Sequence, residues 1–219
     1  MTFSFIEIGT SDFEVAAEDF FKKLKENNQP FIGLSIEPLS IYFKKLPNPT
    51  DFYFKEQCAI SNSEGTSQVY YIHPDIIKKF NGPWWWRGCN SLNEYHPVHI
   101  KASKRFHIPL EELVIKEVIK QKKIKTIIEK YNVEAIKFLK IDTEGHDLII
   151  LEDFLYYIQV SRQFNLLPKR IKFETKGSQK FKSTSKCLND YDRITHTIEM
   201  FKDVGYKYLY PSNSSLTLN

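Results

Sequence analysis

Asp142-Thr-Glu144-Gly145-His146-Asp147 packs three carboxylates, a histidine and a glycine into six residues, directly behind an apolar run that ends at Ile141. Carboxylates take protons or hold hard cations, and histidine titrates near neutrality. These types in this density therefore suit general-base chemistry or a divalent metal. Asp142, His146 and Glu174, an acid behind a later apolar run, are the candidate catalytic groups, and Asp142 with Glu174 is the candidate pair for Mg²⁺ or Mn²⁺. Near the start, Glu7-Ile-Gly9-Thr10-Ser-Asp12 follows the first apolar run, and Glu37-Pro38 closes the second. Gly9 allows a tight turn and close backbone approach. Glu37, 28 residues further on, stands where a carboxylate accepts hydrogen bonds from a ribose diol. The G-x-G-x-x-G fingerprint is absent and no Lys or Arg adjoins Gly9, so a nucleoside without phosphates fits better than a dinucleotide. That sets an NAD-dependent dehydrogenase far behind.

These residues lie far apart in sequence, so the fold must gather them. Phe3–Ile8, Phe31–Ile36, Phe52–Ile60, Ala135–Ile141 and Lys169–Phe173 read as strands, with a further one over Ser67–Ile72. A cap at Ser11 or Asp12 opens a helix with apolar Phe13, Ala16, Ala17, Phe20, Phe21 and Leu24. Pro38 suits the first turn of a helix through Leu46. Asn81–His99, with three consecutive tryptophans and Gly and Pro punctuation, reads as a long ordered loop. Pro109 opens an apolar-periodic stretch to Tyr131, one long helix or two shorter ones. Leu148–Val160 is a helix, Lys176–Asn189 a polar mobile stretch, and Tyr191–Val204 a helix stopped by Gly205. Tyr206–Tyr210 and Ser215–Leu218 finish as an antiparallel pair. Alternating strands and helices with near-continuous apolar strands predict a mostly parallel sheet covered on both faces, which binds ligands beyond the carboxyl ends of its strands. An acidic residue marks four of the five main strand ends.

The 219 residues, 42% hydrophobic and 15% aromatic, suffice for one sizeable core and fit one domain better than two. A net charge of +4 with interspersed signs admits an anionic ligand without calling for nucleic acid. The lysine-rich pieces at Lys120–Lys125 and Lys180–Lys186 read as solvated faces. Cys58, Cys89 and Cys187 are odd in number and lack CxxC spacing, which favours a reducing compartment, the cytoplasm, over a disulfide framework or structural zinc. No run approaches the roughly 18–20 apolar residues of a membrane span, and the N-terminus lacks the pattern of a signal peptide. A start almost directly in a strand raises a fragment cut from a longer protein, or a minimal version of one.

In order along the chain, FIEIGTSDFE, SIEPLSIYFKKLP, CAISNSEGTSQVYYI, WWWRGCNSLN and IKFLKIDTEGHD resemble the FkbM family of S-adenosylmethionine-dependent methyltransferases, from Phe3 to Glu174. LKIDTEGHD is the most specific element and RGCNS marks a subgroup. Phe13 departs from the family, where many relatives carry a second glycine. The resemblance implies a class I methyltransferase fold (Rossmann-like), a seven-stranded, mostly parallel sheet with the last strand antiparallel, spanning residues 1–219 as a single domain. It implies that Glu7, Gly9, Thr10 and Asp12 cradle the methionine part of S-adenosylmethionine and that Glu37, beside Pro38, holds the ribose. Ala59, Ile60 and Ser61 then line the adenine, with Glu144 shaping the cofactor side.

Methyl transfer is an in-line displacement, so aligning an acceptor oxygen carries much of the catalysis, and a base or metal helps remove its proton. The WWWRGCNS loop is the expected acceptor side: Trp86 offers a face to a sugar ring, while Arg87, Asn90 and Ser91 offer polar contacts. At least one tryptophan, Trp84 or Trp85, is expected to pin the loop to the core. The leading expectation is O-methylation of a sugar or glycan hydroxyl, with association to glycosyltransferase domains. The rivals are a lipid, small-molecule or nitrogen acceptor, and a catalytically silent domain of a glycan-assembly protein.

Overall fold

The computed structural model describes residues 1–11, 31–92, 94–174, 190–209 and 215–218. The helix expected after Ser11, with Asp12 and Phe13, the stretch 176–189 with Cys187, and Tyr210 lie outside the described residues.

The main sheet has seven strands: β2 (Phe5–Ile8), β3 (Gly33–Ile36), β4 (Tyr53–Glu56), β10 (Phe138–Ile141), β11 (Arg170–Lys172), β12 (Tyr206–Leu209) and β13 (Ser215–Leu218). Their order is β12-β13-β11-β10-β2-β3-β4. β10 pairs in parallel with β2 and β11, and β3 in parallel with β2 and β4, whereas β13 opposes both its neighbours, so the sheet is mixed. Two-residue strands β1 (Thr2–Phe3) and β9 (Ala135–Ile136) pair in parallel ahead of β2 and β10.

Strand alternation sorts the side chains. Ile6, Ile8, Leu34, Ile36, Leu139, Ile141 and Ile171 share one face and one core cluster with apolar residues of three helices. Those helices are α5 (Ile124–Lys130), α6 (Asp147–Ser161) and α7 (Asp190–Asp203). On the other face Glu7 and Lys140 are direct cross-strand partners, and their side chains form a buried ion pair at 2.9 Å. Burying two charges is tolerable only because each satisfies the other.

The chain between β4 and α5 builds a second lobe, joined by the segment Leu39–Phe43 from between β3 and β4. Its four-stranded sheet has the order β5-β8-β6-β7, from β5 (Ala59–Ile60), β6 (Gly65–Tyr71), β7 (Ser91–Leu92) and β8 (Ile115–Lys122). Short helices α1 (Ser40–Phe43), α2 (Pro74–Lys79), α3 (Pro97–Phe106) and α4 (Leu110–Leu113) and a 3₁₀ turn over Trp84–Gly88 complete it.

Several expectations need correction here. The apolar stretch from Pro109 to Tyr131 is two helices separated by a strand: β8 pairs along its length with Gly65–Tyr71. Residues 117–121 alternate in fact, with Ile119 and Gln121 buried while Val118 and Lys120 are exposed, so strand pairing overrides local helix preference. Phe52–Ile60 is not one strand but β4 and β5, which belong to different sheets. The loop expected over Asn81–His99 ends early, because Pro97 sits at the first turn of α3.

Candidate active site

Gly9 ends β2 at φ +78°, and a Cβ there would lie 2.0 Å from the Asp142 carbonyl oxygen. Only glycine lets the turn after β2 lie flat against the turn after β10. Around that contact opens a cleft of about 590 Å³, open mouth included, within the range of small-molecule sites. Gly9, Glu37, Pro38, Ala59, Ile60, Asn90, Ser91, Asp142, Glu144 and His146 all line it, so most of the residues singled out from sequence converge on one place. Leu39, Val69 and Leu92 supply apolar wall from the second lobe. Among the described lining residues there are three carboxylates and no Lys or Arg.

Glu37 is buried at the end of β3. Its two oxygens accept the backbone N–H groups of Ser11 (2.7 Å) and Leu39 (2.8 Å). Burial outweighs those bonds and pushes the carboxyl up to about 7, with Glu117 and Glu7 adding like charge. Two lone-pair directions remain available on a carboxylate so bonded.

Asp147, the last residue of the acidic motif, takes a bracing role that sequence reading left unassigned. It is fully buried, accepts from the Thr143 N–H (2.9 Å) and hydroxyl, and reaches the Glu174 N–H at 2.7 Å. One side chain thereby ties the ends of β10 and β11 together. Carboxylate oxygens of Asp142, Glu144 and Glu174 consequently lie within 4.8 Å of one another. Lys140 Nζ is 3.8 Å from Asp142 Oδ2 and adds positive charge below the cluster. Glu144 holds a left-handed backbone at φ 54°, as does Ser11 across the cleft; non-glycine strain of this kind gathers at functional sites.

His146 does not join the carboxylates. Its Nε2 is 2.8 Å from Ser61 Oγ, on the side where adenine was expected, and burial pulls its ring down to about 4, so it is neutral at physiological pH.

Several predicted residues lie back from the cleft surface, Glu174 among them. Glu7 is the buried partner of Lys140. Thr10 is buried, with its hydroxyl 3.4 Å from the Ile36 carbonyl. Ser61 contributes through His146.

The tryptophan assignment is corrected. Trp86 is 6% exposed and packs on Phe106, whereas Trp84 and Trp85 are 62% and 47% exposed. Trp86 is the pin, because its position in the 3₁₀ turn faces the core of the second lobe. Arg87 lies over the Trp84 ring, and its carbonyl accepts the Tyr42 hydroxyl at 2.6 Å.

Two residues without any assigned role emerge, His96 and His99, both buried at the start of α3. The HPVH spelling with proline at the first helical position was the available signal.

Residues 7–208 match the Methyltransferase FkbM domain, and the chain belongs to that family. A crystal structure of methyltransferase FkbM from Methylobacillus flagellatus KT is similar at 13% identity and a TM-score of 0.48, over 99% of this chain and 44% of that one. The chain thus spans less than half the length of that protein. No curated protein matches. No described helix is long and apolar enough to cross a membrane.

Proposed function

We propose that the cleft binds S-adenosylmethionine and that the chain transfers its methyl group to a hydroxyl of a sugar or glycan, on a class I methyltransferase sheet. One observation carries this: Gly9, Glu37, Ala59, Ile60 and Asp142, from four separate strand ends, line a single cleft whose described lining is acidic. Such a lining suits a cationic sulfonium nucleoside and repels a phosphorylated one. The bound cofactor supplies an activated methyl on a neutral leaving group. Glu37 accepts the ribose hydroxyls, the Ala59–Ile60 edge packs the adenine, and Gly9 lets the methionine part approach the backbone. Asp142 and Glu174, held side by side by Asp147, receive the acceptor proton. Trp84 and Trp85, with Asn90 and Ser91, form the acceptor side. His146 serves the cofactor side through Ser61 instead of acting as the base. Calorimetry with S-adenosylhomocysteine tests the site: wild type binds, and Glu37→Ala weakens binding at least tenfold. Equal binding by both proteins, or by neither, refutes the assignment.

The convergence of three carboxylates favours one variant of this reading, in which Asp142, Glu144 and Glu174 would hold Mg²⁺ or Mn²⁺, an ion that would supply Lewis acidity toward the acceptor hydroxyl. Loss of turnover in EDTA, restored by Mn²⁺, selects it; unchanged turnover selects the metal-free base.

A further inference from the structure

His96 and His99 open α3 by capping backbone N–H groups at its start. His96 Nδ1 accepts the Val98 N–H at 3.1 Å, and His99 Nδ1 accepts the His96 N–H at 3.1 Å. In a neutral ring the proton then sits on Nε2 of each. Those outer nitrogens leave the helix in two directions. Nε2 of His99 donates to the Cys89 carbonyl at 2.9 Å, inside the loop that carries Asn90 and Ser91. Nε2 of His96 lies 3.1 Å from Glu144 Oε2, in the turn that carries Asp142, a close electrostatic contact off regular hydrogen-bond alignment. Both rings are fully buried, so each contact is shielded from water. Cys89, His96 and Glu144 also group their donor atoms within 4.8 Å. Zinc at this Nε2 would force the proton onto Nδ1, against the Val98 N–H, and the tautomer therefore argues against a metal.

We infer that the His96–His99 pair is a bracket that holds the acceptor loop in register with the carboxylate turn. These are positioning residues: neither lines the cleft, but they fix Asn90 and Ser91 on one side and Glu144 on the other side of it. The inference rests on the proposed function for the words acceptor loop; the bracket itself does not.

His96→Asn separates the bracket from the helix cap. Asparagine is a good N-cap and keeps α3, but its side chain is too short to reach Glu144. Hydrogen exchange read by mass spectrometry should then accelerate at least tenfold over residues 142–146, while residues 97–106 keep wild-type protection. His96→Gln, which offers an acceptor to Val98 and a donor to Glu144, should restore exchange to within threefold of wild type. With S-adenosylhomocysteine, residues 84–92 should gain protection in wild type and lose that gain in His96→Asn. Unchanged exchange over 142–146 in His96→Asn overturns the bracket, as does failure of His96→Gln to restore it, or ligand-induced loop protection that survives His96→Asn. Absence of any ligand effect in wild type counts against the cofactor reading, and the unliganded comparison still decides the bracket.

Discussion

Lowering the pH from 8 to 6 should weaken S-adenosylhomocysteine binding through Glu37. Burial holds this carboxyl near 7, so about nine-tenths of it is ionised at pH 8 and about one-tenth at pH 6. Two ribose hydroxyls can be accepted together only by the carboxylate. Charge-assisted bonds of this kind contribute roughly 1.5–3 kcal/mol each, enough to draw the carboxyl about two units down in the complex. The complex is then ionised throughout this range, and Kd should rise about tenfold between pH 8 and pH 6. Binding at pH 6 should release close to one proton, visible as a calorimetric enthalpy that changes with the ionisation enthalpy of the buffer. His146, held near 4, does not titrate in this window, and Asp147 near 7 does not line the cleft. Glu37→Gln should bind more weakly and lose the pH dependence. A Kd flat from pH 6 to 8, or a slope that persists in Glu37→Gln, would refute the role given to this residue.

Three further outcomes follow from the packing. Asp147 is raised from 3.8 to about 7 by burial, so the folded chain holds a proton there that the unfolded chain has released. Its contribution is present below about pH 4 and is lost as pH rises through 7, on the order of 4 kcal/mol in the limit; the urea midpoint should fall from pH 5 to pH 8, and less steeply in Asp147→Asn. Gly9→Ala places a Cβ on the Asp142 carbonyl at a positive φ and should lower thermal stability by an amount equivalent to about 3 kcal/mol, with loss of ligand binding. Trp86→Ala should cost about 3–5 kcal/mol in chemical denaturation, whereas Trp84→Ala should leave the midpoint unchanged and show itself only in the KM for the acceptor.

Much of the main sheet could be read from sequence because its strands, buried on both faces, are short apolar runs closed by a turn or an acid, as at Ile8-Gly9 and Ile141-Asp142. The same pattern placed the cleft, since ligand sites of such sheets lie at those ends. The second lobe was harder. β8 carries Lys116, Glu117 and Lys120 and buries little of its length, and its identity is fixed by pairing with Gly65–Tyr71, a contact no local pattern reveals. The tryptophans failed for a related reason: three identical residues in a row carry no period, and the 3₁₀ turn alone decides that Trp86 faces inward. Asp147 was visible within the acidic motif, but its reach to the Glu174 N–H depends on β10 and β11 being neighbours. His96 resembled a loop histidine until the helix behind Pro97 gave it an axis.

The most direct test is a crystal structure of the chain with S-adenosylmethionine bound. The ribose hydroxyls should lie within hydrogen-bond reach of Glu37, the adenine should pack along Ala59 and Ile60, and the sulfonium methyl should face Asp142 and Glu174. A nucleoside seated elsewhere, or a methyl group turned away from those two carboxylates, would contradict the proposed site and the chemistry assigned to it.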